Sequence, residues 1–130
     1  MYLTKRERDC LMVIGDNKND FPIRLSDISK KMKLSAPTVY NLLKRLKDKG
    51  LINENRGLVI ITSFGKEIHS NIIFAHRCLE CLFNEIGLDK KFSCNEASKI
   101  DYLLNNELII KLYNHIGRPK TCPHGKPLVV

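Results

Sequence analysis

The stretch SAPTVYNLLKRLKDKGLI, from Ser35 to Ile52, constrains the fold more than any other part of the chain. Ser35 is a typical N-cap residue, and Pro37 follows in the first turn, where a missing backbone N–H costs nothing. On a helical wheel the aliphatic side chains fall on one arc, and polar side chains cover the opposite side. The aliphatic positions are Val39, Leu42, Leu43 and Leu46, and the polar ones are Tyr40, Asn41, Lys44, Lys47 and Asp48. This pattern predicts an amphipathic helix that ends at Gly50.

The segments on either side of this helix predict two preceding helices and a following β-hairpin. A capping box at Thr4 starts a helix that runs to about Ile14, and Ser26 is expected to cap a short helix to about Met32. Two strand candidates, 51–54 and 58–62, flank the turn Asn55-Arg56-Gly57. Helix, helix, turn, helix and hairpin is the order of elements in a winged helix-turn-helix with a small β-hairpin wing.

The remainder of the chain is predicted to be helical, which makes the fold mainly α. Three helices are expected, at about 63–86, at about 92–104, and from Asn105 or Asn106 to about 116. The tail GRPKTCPHGKPLVV contains three prolines and is expected to be an extended end or a linker stub.

Charge and composition narrow the class of protein. The chain has 130 residues and a formal net charge of +8. Residues 1–61 carry 13 lysines and arginines against 7 acidic residues, so the basic field lies in the N-terminal half, where polyphosphate would be attracted. No apolar run approaches the ~20 residues needed to cross a bilayer, and MYLTKRERD has no apolar signal region, so a cytoplasmic protein without a membrane partner is expected.

The predicted third helix has the features of a DNA-reading element. A major groove accepts one helix, whose exposed N-terminal residues meet base edges while nearby cations hold phosphates. A lysine-rich helix face alone is more often only solvated, but the preceding short helix and the following wing favour recognition of double-stranded DNA. The candidate DNA-binding residues are Ser35, Pro37, Thr38, Tyr40, Asn41, Lys44, Arg45, Lys47 and, at the tip of the wing, Arg56.

The segments LSDISKKMKLSAPTVYNLLKRLKDKGLI, AHRCLECLFNEIGLD, NEASKIDYLL and CPHGKPL, in this order, resemble the DtxR/MntR family of metal-dependent transcriptional repressors. The resemblance covers nearly the whole chain. It implies a winged helix-turn-helix domain at 1–61 and an α-helical metal-binding and dimerisation domain at 62–130. Longer members add an SH3-like domain after the Cys-Pro-His-Gly stretch, and the chain is expected to be a short form without it.

The resemblance also implies a metal site on two helices. His76 and Glu80 are four residues apart and share a helix face, and Cys94 stands where the family has a second histidine. These donors suit a divalent transition metal such as Fe²⁺, Mn²⁺, Zn²⁺ or Co²⁺, and the thiolate favours iron, zinc or cobalt over manganese. Without the resemblance, His76 and Glu80 would be read as an exposed helical pair.

A second family site is only partly represented. Asp9 matches a manganese-type ligand on the first helix, and Asp101 is a shortened acid at another ligand position. Ser98 and Tyr102 occupy the remaining positions and are poor ligands at neutral pH. We therefore expect one well-occupied ion per chain, at His76, Glu80 and Cys94.

The five cysteines leave other interpretations open. An odd count argues against a disulfide framework and leaves core packing, metal or redox roles. Cys78 and Cys81 form a CxxC inside a predicted helix, where core packing is the simpler interpretation, and the role of Cys122 and His124 is not evident. Three functions remain: a metal-activated repressor of metal-homeostasis genes, a winged-helix regulator that has lost metal control or responds to thiol oxidation, and a small Cys/His enzyme or CxxC redox protein, which no nucleophile motif supports.

A homodimer is expected from the apolar content near the chain end. The residues concerned are Leu108, Ile109, Leu112 and Tyr113, more apolar surface than one small helical lobe needs. A two-fold dimer would match a two-fold DNA operator.

Overall fold

A computed structural model describes residues 2–17 and 21–128 of the chain. The chain divides into two compact units, Met1–His69 and Ser70–Val130, with the boundary inside the longest helix. No helix in the described ranges is long and apolar enough to cross a membrane. The elements are α1 (Lys5–Gly15), β1 (Ile23–Arg24), α2 (Leu25–Met32), α3 (Ala36–Asp48), β2 (Ile52–Asn55), β3 (Leu58–Ile61), α4 (Ser63–Glu85), α5 (Lys90–Ile100) and α6 (Asn106–His115).

The core of the first unit forms where α1, α2 and α3 pack on one another. The four aliphatic residues predicted for the inner face of α3 are all at most 2% exposed, so that prediction is confirmed. They pack in a core that also contains Leu11, Ile14, Ile28, Leu51, Ile52 and Val59. A partly buried ion pair supports this core, since Lys49 Nζ donates to both carboxylate oxygens of Glu7, at 2.5 and 2.9 Å.

The helix starts in this unit follow local capping chemistry. Thr4 Oγ1 accepts from the backbone N–H of Glu7 at 3.2 Å, so the predicted start of α1 is confirmed. The prediction that Ser26 caps α2 is wrong, because the helix begins at Leu25 with Arg24 in the N-cap position. The backbone N–H of Leu25 donates to the Gly57 carbonyl at 2.8 Å, which turns the chain into the helix before Ser26 is reached.

The predicted hairpin is present, but the sheet has three strands. The order is β1-β3-β2, and both pairings are antiparallel. The pairing of Asn55 with Leu58 leaves a two-residue loop, in which Arg56 has φ 53° and Gly57 has φ 80°. Positive φ at both loop positions is the signature of a type I′ turn, whose twist matches that of the flanking strands. The wing is therefore a tight hairpin with an arginine at its tip.

The second unit combines the C-terminal part of α4 with α5, α6 and the tail. Its core contains Ala75, Cys78, Ile109, Cys122 and Leu128. The predicted range of α5 needs correction: the helix begins at Lys90, because the Asp89 side chain accepts from the N–H of Phe92 at 2.8 Å, and it ends at Ile100. The predicted cap of α6 is confirmed, with the Asn105 side chain accepting from the N–H of Glu107 at 2.7 Å.

The expectation of an extended tail or linker stub is wrong for residues 117–128. Thr121 and Pro127 form an antiparallel bridge, and the Arg77 guanidinium on α4 donates to the carbonyl of Pro127. Cys122 and Leu128 are 4% and 3% exposed, because their apolar side chains fill the core of the second unit. The tail therefore returns to α4 and brings the Cys-Pro-His-Gly stretch with it.

Candidate DNA-binding surface and metal centre

The predicted DNA-binding residues are at the surface of the first unit. Thr38 is half-buried, and all the others are exposed, namely Ser35, Pro37, Tyr40, Asn41, Lys44, Arg45, Lys47 and Arg56. Because the leucines of α3 hold its other face in the core, the polar face is presented outward without competition from packing. Tyr40 is 54% exposed, which is unusual for a large aromatic side chain and suits contact with a partner.

The first turn of α3 is organised by its own hydroxyls. Ser35 Oγ accepts from the backbone N–H of Thr38 at 3.4 Å and lies 2.8 Å from Thr38 Oγ1. Ser35 therefore caps the helix, and the contact with the Thr38 hydroxyl fixes the orientation of the capping side chain. Asn41, one turn further along, is an exposed amide of the type that pairs bidentately with adenine in a major groove.

The wing, the hairpin of β2 and β3, is hydrogen-bonded to α3 and has arginine side chains near its tip. Lys47 Nζ donates to the carbonyl of Glu54 at 3.4 Å, and the Glu54 carboxylate accepts from the N–H of Gly57 at 2.9 Å. Arg24 lines one open pocket together with Arg56. The sequence did not single out Arg24, because the pairing of β1 with β3 is what brings it beside the hairpin tip.

His76, Glu80 and Cys94 lie together in the second unit. His76 Nε2 is 3.1 Å from Glu80 Oε1 and 3.5 Å from Cys94 Sγ. One donor atom of each residue lies within 4.8 Å of the other two. Donors around a tetrahedral zinc-like ion are separated by about 3.5 Å, given metal–ligand bonds of about 2.0–2.3 Å. The three residues therefore fit a divalent transition metal with small side-chain adjustments.

Asp101 contacts the ring nitrogen of His76 that faces away from Glu80 and Cys94. Its Oδ2 lies 3.0 Å from His76 Nδ1, and its side chain is fully buried. A carboxylate on one ring nitrogen directs the other nitrogen toward the metal and raises its basicity. The sequence assigned Asp101 to a separate second site, but α5 ends at Ile100, so Asp101 lies at the helix C-cap and its carboxylate faces His76.

This arrangement binds a proton when no metal is present. Burial alone would lower the pKa of His76, but hydrogen bonds to Asp101 and Glu80 outweigh it and raise the pKa to about 10. Burial alone would raise the pKa of Glu80, but the hydrogen bonds and charges of His76 and His124 hold it below its usual value. A charged imidazolium therefore lies between two carboxylates at neutral pH, where a cation could replace its proton.

A second group of donors shares Glu80. His124 Nδ1 lies 2.8 Å from Glu80 Oε2, and Glu80, Cys122 and His124 each offer a donor atom within 4.8 Å of the other two. The Cys-Pro-His-Gly stretch forms a turn in which the N–H of Gly125 donates to the Cys122 carbonyl at 2.8 Å. Sequence reasoning left both residues without a role, although a Cys-x-His pair in a turn was the available signal.

The other sequence candidates have local partners. Asp9 belongs to the first unit, where its carboxylate accepts from Lys5 at 2.6 Å and from Arg8 at 3.0 Å. Ser98 donates to the carbonyl of Cys94 at 3.0 Å, a bond within α5, and Tyr102 is half-buried.

The remaining thiols are held in their protonated form. Burial raises the pKa of Cys10 and of Cys78 to about 12. Burial, together with the neighbouring Cys122 and Glu80, raises the pKa of Cys81 to about 11. Since the thiolate is the reactive species, these cysteines are poor nucleophiles, which disfavours control by thiol oxidation through the CxxC.

Comparison with known protein families gives one match in each half of the chain. Residues 62–129 match the model of the iron-dependent repressor metal-binding and dimerisation domain, and residues 3–57 match the model of the MarR family. An uncharacterized HTH-type transcriptional regulator of Aeropyrum pernix is 32% identical over 108 residues, which cover 82% of this chain and 59% of that protein.

Two solved structures extend the comparison to the fold. The hypothetical protein SSo2273 from Sulfolobus solfataricus superposes with a TM-score of 0.85 and 34% identity, over 98% of this chain and 100% of that one. A manganese-dependent transcriptional repressor, solved in complex with manganese, superposes with a TM-score of 0.77 and 25% identity, over 94% of this chain and 57% of that one. Because the repressor-domain model covers more than half of the chain and the fold agrees, the protein belongs to the DtxR/MntR family of iron-dependent repressors and is a helix-turn-helix transcriptional regulator of that type.

Proposed function

We propose that the protein is a metal-activated repressor that binds an operator in double-stranded DNA as a homodimer and regulates genes of metal homeostasis in the cytoplasm. The observation that carries the proposal is the convergence of His76 Nε2, Glu80 Oε1 and Cys94 Sγ, with Asp101 on the opposite nitrogen of the histidine. The cofactor is a divalent transition metal, Fe²⁺, Mn²⁺, Zn²⁺ or Co²⁺, and the thiolate favours the softer members of this set.

Metal binding would displace the proton of His76 and cross-link α4 to α5. A bound divalent cation supplies a positive charge and accepts electron pairs from nitrogen, oxygen and sulfur donors. His76 and Glu80 on α4 and Cys94 on α5 would hold it, so the two helices become fixed to each other. Any ligand that binds the ordered state alone stabilises that state by mass action.

Exposed apolar side chains of the second unit support dimerisation. Phe92, Leu103, Leu108 and Ile110 are 48–54% exposed, whereas Ile109 is in the core. Tyr113 packs edge-on against Phe74 with ring centroids 5.2 Å apart, so it belongs to the interior of its own subunit. We therefore assign the partner contact to the exposed set, with Leu108 as the member already named from the sequence.

The first unit would read DNA through two kinds of contact. In this proposal Thr38, Tyr40 and Asn41 contact base edges, and four cations contact phosphates, namely Lys44, Arg45, Lys47 and Arg56. A dimer would carry two such surfaces, and a two-fold operator offers two half-sites for them. Metal and DNA binding are then coupled in both directions by linkage.

The test uses a DNA duplex selected from a random library with the metal-loaded protein, followed by fluorescence anisotropy in excess Fe²⁺, Mn²⁺, Zn²⁺ or chelator. We expect chelation to weaken binding at least about tenfold, within the range of typical allosteric couplings. His76→Ala should remove the response to metal, while His115→Ala, an exposed histidine on α6, should retain it. Equal affinity with metal and with chelator would overturn metal control.

A second set of variants separates sequence reading from phosphate binding. Asn41→Ala should reduce the preference for the selected duplex over a scrambled one, by about 1–3 kcal/mol for a bidentate base contact. Lys44→Ala should weaken both duplexes alike and reduce the salt dependence by about one phosphate contact. Asp48→Ala, an exposed position at the far end of α3, serves as the control.

A further inference from the structure

The ring of His69, in the second turn of α4, packs directly against the end of α1. A Cβ built on Gly15 would lie 2.2 Å from Cδ2 and 2.6 Å from Cγ of this ring, which is too close for any side chain at that position. The ring Nε2 lies 2.9 Å from Asp16 Oδ1, and the His69 side chain is only 12% exposed. All three residues belong to the first unit. The imidazole is therefore held between the α1 backbone and a carboxylate.

Gly15 and Asp16 are both unfavourable choices for the end of a helix considered by itself. A glycine within a helix costs stability relative to alanine, because it loses more backbone freedom on folding. Asp16 is the C-cap of α1, where a carboxylate meets the negative end of the helix dipole, and the last turn contains no basic residue to offset it. The contact with His69 accounts for both residues, since the glycine leaves room for the ring and the carboxylate pairs with its nitrogen.

α4 has a second attachment to the first unit, one turn before His69. A Cβ on Gly65 would lie 2.0 Å from the Leu51 carbonyl oxygen, so α4 approaches the backbone just after α3 as closely as a helix can. The Thr62 hydroxyl donates to the Gly50 carbonyl at 2.7 Å, and the Thr62 N–H donates to the Leu51 carbonyl at 3.0 Å. Gly65 and His69 are four residues apart and share one face of α4. The start of α4 is thus attached both to the end of α3 and to the end of α1.

Two attachments constrain a helix more than one does. A helix held at a single point can pivot about it, and a second contact on the same face removes that freedom. α4 is one helix, Ser63–Glu85, and it also carries His76 and Glu80 of the candidate metal centre. Only about two helical turns separate His69 from His76. A change in α4 that accompanies metal binding would therefore be transmitted to α1 and to the end of α3 through these attachments.

We propose that His69 is a positioning residue that sets how strongly metal binding changes DNA affinity. It acts through Gly15 and Asp16, which fix α4 to α1, and it is not itself a metal ligand. This inference rests on the proposed function and extends it, because it names a residue that transmits the effect of the metal. Without the His69 contact, metal would still bind at the site on α4 and α5, but DNA affinity would respond to it less.

The experiment measures two quantities for each variant of the full chain, with Zn²⁺ and in a parallel series with Mn²⁺. The first is metal affinity, from competition with a chromophoric chelator. The second is the ratio of DNA affinity with metal to that with chelator, from fluorescence anisotropy. His69→Ala should leave the metal affinity unchanged and lower the ratio by about 2- to 30-fold, the range for residues that modulate coupling between sites. Glu67→Ala, at an exposed position of the same helix, is the control and should change neither quantity.

Two further variants test the contact itself. Asp16→Ala removes the partner of Nε2 at a position whose side chain is 63% exposed, so the fold should be kept and the ratio should fall by a smaller factor than in His69→Ala. Gly15→Ala should expel the ring and lower the ratio as His69→Ala does. The double variant of Gly15 and His69 should lose no more than either single variant, because both changes remove the same contact.

Contrary outcomes separate this inference from the proposed function. A wild-type ratio in both His69→Ala and Asp16→Ala overturns the role of His69 and leaves metal control standing. Weaker metal binding in His69→Ala also overturns it, since the residue would then act on the metal site. If circular dichroism shows that His69→Ala has lost its helices, the ratio in Asp16→Ala decides the question. A wild-type protein whose DNA affinity ignores metal overturns both proposals.

Discussion

The two units of the molecule bury different kinds of side chain. The first unit has an aliphatic core, and its one deeply buried charged side chain among the described residues, Glu7, is paired with Lys49. The second unit buries Glu80 and Asp101 around a histidine. An aliphatic core is stable at any ordinary pH, whereas buried carboxylates depend on whatever cation balances them. The core of the first unit therefore does not depend on a bound cation, whereas under the proposed function the second unit would respond to protons and to metal.

The largest expected effect is a loss of stability when the charged His76, which balances the two buried carboxylates, is removed. In the metal-free protein His76→Ala should lower the free energy of unfolding by about 3 kcal/mol, because two buried carboxylates lose a shared partner. The matched control His115→Ala should change it by less than about 0.5 kcal/mol. Urea denaturation at neutral pH measures both. If the two variants were equally stable, the buried carboxylates would not depend on His76.

Asp101 gives the next effect. Asp101→Asn keeps the shape of the side chain but removes the charge that supports His76, so metal affinity should fall about 10–100-fold, as for other residues that orient a ligand. Glu107→Gln, which changes an exposed pair with Lys111, is the control and should leave the affinity unchanged. Competition with a chromophoric chelator gives both values. An Asp101→Asn protein with wild-type affinity would contradict the positioning role.

The stability of the metal-free protein and its affinity for metal should depend on pH in opposite directions. Folding raises the pKa of His76 from 6.5 to about 10, so its stabilisation of the metal-free protein is complete below pH 6.5 and is lost as pH rises through about 10. Folding lowers the pKa of Glu80, so its contribution is present above pH 4.5 and is lost as pH falls. The metal must displace the His76 proton, so metal affinity should rise with pH by about tenfold per unit for each proton released below the pKa. Thermal melts and metal titrations over pH 5–9 check both trends; a metal affinity that fell with rising pH would be inconsistent with this site.

The difference between the units also explains what the sequence could predict. The first unit follows periodic and capping rules, so the buried face of α3, the caps at Thr4 and Ser35 and the hairpin were all predictable. The missed strand β1 has two residues and is defined only by its partner β3, so no periodicity marks it.

The second unit depends on pairings that no local pattern contains. The contact between Glu80 and His124 joins residues 44 positions apart. It forms because Cys122 and Leu128 are buried in the core, which returns a proline-rich tail to α4. Likewise, the early end of α5 leaves Asp101 at a C-cap and not on the helical stripe assumed from spacing. A family resemblance supplied His76, Glu80 and Cys94, but only the fold relates the Cys-Pro-His-Gly turn to them.

The smallest expected effect concerns the wing and separates stability from function in the first unit. Arg56 adopts φ 53°, a left-handed conformation that costs a side chain with a Cβ about 1 kcal/mol or more, and that Asn tolerates better. Arg56→Asn should therefore raise the free energy of unfolding by about 0.5–1 kcal/mol while weakening binding to every duplex, since a phosphate-binding cation is lost. Lys66→Asn, another exposed cation of this unit but outside the hairpin, is the control for lost charge. Urea denaturation and anisotropy over a salt series give the two readouts. If the variant gained stability and still bound DNA as wild type does, Arg56 would not contact phosphates. The left-handed conformation at this position would then be required only by the geometry of the hairpin turn.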